Sequence, residues 1–105
     1  MYIVIFITCA NKKQAKKIAA GLIGAKLAAC VNIIPGVESL FWWKNKVDRA
    51  DEVLLVVKSK RTKLAGIIKK VKSLHSYATP EIIALPIIVG YKDYLKWIND
   101  SLDSQ

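Results

Sequence analysis

The chain has 105 residues, 53% of them apolar and 24% charged, a balance that fits one domain with its own core and excludes a disordered polar chain. No apolar run reaches the ~18 residues that a membrane-spanning helix needs, and two cysteines are too few for a disulfide framework or a knuckle of metal-binding thiolates. Seventeen basic residues against eight acidic ones leave a net charge of +9, which attracts polyanions without specifying one.

The first element is YIVIFIT, residues 2–8, a continuous β-branched run that reads as a strand buried on both faces. It lacks a basic leader and a small-residue cleavage site, so it reads as a strand rather than a secretion signal, and a cytoplasmic location is expected. Asn11 is placed to cap a helix with the apolar stripe Ala15, Ile18, Ala19, Leu22 and Ile23. Lys12, Lys13, Lys16 and Lys17 fall largely outside that stripe and read as a solvated face. Residues 30–34 form a second strand, which Pro35-Gly36 should bulge rather than end. It runs on through SLFWW to a hairpin turn at Lys44-Asn45-Lys46, where Asn accepts the positive φ of tight hairpins.

EVLLVVK, residues 52–58, is the returning strand. A second helix is predicted from about Arg61 to Leu74, with Leu64, Ile67, Ile68 and Val71 as its stripe and Thr62 as a candidate cap. A loop follows over His75–Pro80. The fourth strand is predicted from Glu81 to Val89, interrupted by Pro86 and therefore at a sheet edge. Tyr91, Tyr94, Leu95, Ile98 and Leu102 mark a last helix.

The order βαββαβ plus a terminal helix predicts one α+β domain over residues 1–105, a ferredoxin-like sandwich. It has an extended hairpin between its second and third strands and a C-terminal helix. Its strand order is 4-1-3-2, with both main helices on one face. The first and third strands are apolar on both faces, and one terminal helix is too small to cover the face that the main helices leave bare. Another copy of the chain is the economical cover. Phe41, Trp42 and Trp43 then belong to an assembly interface. A nucleic-acid stacking platform is the alternative. It ranks behind, because the third strand of an RNA-recognition fold should carry aromatics and Val53–Val57 carries none.

The stretch KLAACVNIIPGVESLFWWKNKVDRADEVLLVVKS, followed by LHSYATPEIIALPI and YLKWI, resembles the CutA divalent-cation tolerance proteins over nearly the whole chain. The most specific pieces are Ala28-Ala29-Cys30-Val31-Asn32-Ile33 with Pro35, Trp43 near the turn, His75-x-Tyr77-x-x-Pro80-Glu81, and Tyr94-Leu95-x-Trp97. The resemblance implies a fold related to the PII signalling proteins and a cytoplasmic homotrimer built through the long hairpin. It implies a part in tolerance of divalent metals, with Cu(II) or another divalent cation bound and His75 as ligand candidate, and no catalysed reaction. Four positions depart from the family's pattern. Ser76 stands where proline is usual, and Lys44-Asn45 stand where an acidic residue and glycine are usual. A cysteine ascribed to copper binding in some relatives aligns near Ile7, apolar here, and Cys9 lies two positions on.

The predicted topology brings the end of the first strand at Cys9, the loop of His75, Tyr77 and Glu81, and the hairpin tip at Trp43 and Lys44 to one end of the sheet. Thiolate and imidazole suit copper or zinc, which makes Cys9 and His75 metal-ligand candidates, with symmetry copies supplying the remaining ligands. The structural alternative is that His75 and Tyr77 tie the loop while Cys9 is a small buried apolar group. A second functional reading is a small anionic ligand at a subunit cleft. Trp43 and Tyr77 would stack on it, Lys44, Lys58 and Lys60 would supply charge, and Glu81 would lie beside it. One histidine in the whole chain, with no nucleophile paired to it, argues against an enzyme.

Overall fold

The most apolar strand takes the most enclosed place. In the computed structural model, which describes residues 1–103, β1 (Tyr2–Cys9) lies between β3 (Lys46–Lys60) and β4 (Ile82–Pro86). β2 (Cys30–Trp43) flanks β3, so the antiparallel sheet runs β2-β3-β1-β4, the predicted order. Two helices, α1 (Lys12–Gly24) and α2 (Leu64–Leu74), connect the strands, and α3 (Lys92–Asp103) closes the described chain.

Strand alternation decides which side chains meet the helices. Ile3, Ile5, Ile7 and Cys9 of β1 and Val53, Leu55 and Val57 of β3 point to one face. There they form one buried cluster with Ala15, Ile18 and Leu22 of α1 and Ile67 and Val71 of α2. Asn11 caps α1 as expected, its side chain accepting from the Gln14 N–H at 2.9 Å. Thr62 caps nothing. α2 is instead entered from extended Lys60 through a 3-10 turn over Arg61–Lys63. The helices run antiparallel: Gly66 near the start of α2 abuts Leu27 beyond α1, and Ser76 beyond α2 reaches Gln14 near the start of α1. A Cβ at Gly21 would stand 2.9 Å from Leu74 Cδ1, so glycine there lets the two helices approach.

The hairpin follows the expected chemistry with one adjustment. The register shifts between Ile34 and Val37, where Pro35 and Gly36 (φ +79°) form the bulge. The turn is two residues long, Lys44 and Asn45 with φ of 51° and 64°, and Lys46 already pairs with Trp43. Both positive values fit the primed turns that match strand twist. β4 is an edge strand, but it stops at Pro86 instead of reaching Val89; the Ile87 N–H makes a last bond to the Tyr2 carbonyl at 3.0 Å.

The opposite face is half covered. α3 crosses the end near Tyr2, where Lys60 Nζ donates to Asn99 Oδ1 at 2.9 Å and Asp103 Oδ1 at 2.8 Å, and Ile98 and Leu102 are buried. Beyond that helix, Ile34 of β2 and Ile83 and Leu85 of β4 remain exposed on the face shared with Phe6 and Val56.

Candidate functional site

The loop after α2 is held by its own polar side chains. The His75 N–H ends the helix on the Val71 carbonyl at 2.8 Å. The ring then makes two bonds: Nδ1 accepts from the Tyr77 N–H at 3.0 Å, which fixes the proton on Nε2, and Nε2 donates to the Thr8 carbonyl at 2.7 Å. The His75 and Tyr77 rings also pack at a 4.7 Å centroid distance. Ser76, standing where proline is usual in the pattern, ties the loop to α1 by donating from Oγ to Gln14 Oε1 at 2.9 Å.

Tyr77 carries the loop across to the base of the hairpin. Its hydroxyl donates to Glu52 Oε2 at 2.8 Å. Glu52 is buried at the start of the apolar half of β3, opposite Val37 just past the bulge. Burial, this hydrogen bond and the nearby Glu52 charge push the Tyr77 phenol up to about 12, so it remains a donor. Glu81 lies close enough to feel the same carboxylate: desolvation first and Glu52 second raise its pKa above the usual carboxylate value.

Between the hairpin and this loop lies an open groove of about 960 Å³. One wall is hairpin, with Leu40, Phe41 and Trp43 as its apolar part; the other is the loop from Tyr77 to Glu81. Its ionisable lining is acidic, Glu38, Asp48, Glu52 and Glu81, apart from Arg49. That guanidinium is already engaged by Glu38 and, at 3.4 Å, by Asp51.

The structure therefore gathers Trp43, Tyr77 and Glu81 as expected. Lys44 lies at the tip and is not among the lining residues. Lys58 turns to Asn32, and Lys60 to Asn99 and Asp103, so neither supplies charge to the groove. Sequence reasoning missed Glu52. Its signal was an acidic residue opening a strand whose next carboxylate is Glu81.

The metal candidates fare differently. Cys9 is fully buried in the core cluster, and burial, with the Glu52 charge second, pushes its thiol up to about 11, away from the thiolate a metal needs. Both nitrogens of His75 are committed within the loop. No cluster of three or more potential ligands forms among the described residues, so the residues of one chain do not fit a metal centre. Cys9 and Cys30 are both free thiols. Their partners on β3, Val53 and Lys58, are five residues or ~17 Å apart along the strand, too far for a bridge.

Comparison with known proteins places the chain. A family model described as CutA1 divalent ion tolerance protein matches residues 3–101. The rice chloroplastic protein CutA 1 is 46% identical over 99 residues, 94% of this chain and 56% of its own length. A CutA homolog of Xenopus laevis is 45% identical over 95 residues, 90% of this chain and 63% of the relative. This chain thus spans somewhat more than half of those two relatives. Among solved structures, the periplasmic divalent cation tolerance protein CutA of Archaeoglobus fulgidus superposes with a TM-score of 0.95 at 43% identity, covering 98% of this chain and 100% of that one.

Proposed function

This chain belongs to the CutA family of divalent-ion tolerance proteins, and on that premise we propose that it serves in divalent-cation tolerance as a homotrimer. The hairpins assemble the copies, and each groove becomes a cleft between subunits that receives a divalent cation, copper included. The observation that carries the reading is the aromatic tip beside the groove, where Trp42 is 75% and Trp43 54% exposed. Side chains of that size left bare, next to a half-covered sheet face, call for a partner surface.

The acidic lining favours a cation over the small anionic ligand that a PII-like role would use. One chain offers the cleft Glu52 and Glu81; a neighbouring copy supplies the remaining ligands. The chain's part is to hold those carboxylates in place: Tyr77 fixes Glu52, and His75 fixes the backbone from which Tyr77 projects. The proposed role is binding rather than catalysis. The cytoplasm is the compartment proposed, in keeping with two unpaired thiols.

Isothermal titration of Cu(II) tests the site. Glu81→Gln is expected to weaken binding about tenfold, or ~1.4 kcal/mol, with the oligomer mass unchanged. Equal affinity in wild type and variant would remove the cleft carboxylates from the site.

A further inference from the structure

The eight acidic residues are distributed unevenly: none occurs before Glu38 or between Val53 and Pro80. Both main helices fall in those acid-free stretches. α1 exposes Lys12, Lys13, Lys16 and Lys17 in its first half, and α2 carries Lys69, Lys70 and Lys72 in its second half. The two helices pack against each other on one side of the sheet, so both groups of lysines belong to the same helical layer. Ser76 meets Gln14, and the Lys70 stem lies over Gly21. None of these seven lysines takes part in the ion pairs among the described residues. A face carrying this much unopposed charge is self-repelling, and a bound polyanion would relieve it.

We propose that this outer face of α1 and α2 is a docking surface for double-stranded nucleic acid, gripped by its phosphate backbone without regard to sequence. The composition of the face selects that occupant. α1 and α2 carry no aromatic residue, so no base of a single strand finds a stacking partner. The exposed large apolar side chains on the two helices are Ile23 and Ile68, too little for insertion into a bilayer. Lysines grip phosphate as point charges and do not make the forked contacts that read base edges. α1 is ~20 Å long, the rise of about six base pairs, which suits contact with about five phosphates. In the sequence these lysines read as a solvated face; the fold adds that two separate runs meet on one side. The surface is distinct from the groove and does not depend on it.

Fluorescence anisotropy of short labelled duplexes, one DNA and one RNA, tests the proposal across a salt series. Affinity is expected to fall with a log–log slope of about −4.5, roughly 500-fold between ~50 and ~200 mM salt. Changing Lys13→Gln with Lys17→Gln should flatten that slope by about 1.8, with far-UV circular dichroism unchanged. Lys46→Gln with Lys92→Gln removes the same charge elsewhere and should leave the slope as it was. Whichever duplex binds identifies the source. The proposal is overturned by no binding to either duplex at low salt, or by equal losses in the two double variants. Tighter binding of a single strand of the same length, or retention on anionic vesicles without retention on duplex, overturns it as well.

Discussion

Both halves of β3 are hydrogen-bonded into the sheet, but they differ in how many strands flank them and in what covers them. From Val53 to Ser59 the strand lies between β1 and β2, and Val53, Leu55, Val57 and Ser59 are buried under the helices. From Lys46 to Asp51 it pairs with β2 alone. Val47 there is 61% exposed, and the molecule stretches to 44 Å along its longest axis. Ladder hydrogen bonds suffice to shape a strand, but hydrophobic stabilisation needs a second layer. The first half has that layer inside the chain. The second carries Leu40, Phe41, Trp42 and Trp43 across from it and has to find its layer outside.

The contrast is sharpest under truncation. Leu55→Ala should cost about 3 kcal/mol, because a fully buried side chain leaves a cavity that the rigid sheet cannot close. Its melting temperature should fall at every protein concentration. Trp43→Ala should cost about 2 kcal/mol per contact between copies. Its loss should grow on dilution, in step with a falling mass by light scattering. A dilution-independent loss for Trp43→Ala would mean that its side chain works within its own chain, and the contrast between the halves would fail.

A pH titration probes the buried half. The Cys9 thiol lies near 11 in the fold against 9.0 in the unfolded chain. Above pH 9 the unfolded state therefore releases its proton first, and stability falls as pH rises until the folded thiol also ionises near 11. About 1 kcal/mol of the drop is expected between pH 9 and 10, and Cys9→Ala should remove that part, while the contribution from tyrosine ionisation stays common to both proteins. Denaturant melts at stepped pH read this directly; an identical slope in the variant would place the proton loss elsewhere. A smaller effect is expected at the junction of the halves. Tyr77→Phe deletes the donor to buried Glu52 and should cost about 1 kcal/mol. It should also weaken Cu(II) binding, since Glu52 then loses the contact that aims it. Unchanged stability and affinity together would show that the loop needs no such tie.

How much of this was readable beforehand follows the range of the interaction involved. The Asn11 cap, the Pro35-Gly36 bulge and the positive φ at Asn45 are local, set within a few residues, and the sequence pattern specifies them. The strand order follows from connectivity and handedness, which restrict a βαββαβ chain to few arrangements. The candidate site is a different matter. Trp43, Tyr77 and Glu81 were placed at one end of the sheet by topology, but topology does not say where a side chain points. Lys44 sits in the two-residue turn, outside the lining of the groove. Cys9 follows the inward alternation of β1 into the core. His75 spends both nitrogens on backbone groups, one of them on Thr8 in a distant strand. Glu52 became visible only when a loop 25 residues later in the chain returned to it.

The most direct test of the central claim is the native mass of the purified wild-type protein at micromolar concentration. A homotrimer that dissociates when Trp43 is replaced by alanine is the predicted result. A soluble single chain at the same concentration, with its aromatic tip open to water, would contradict it.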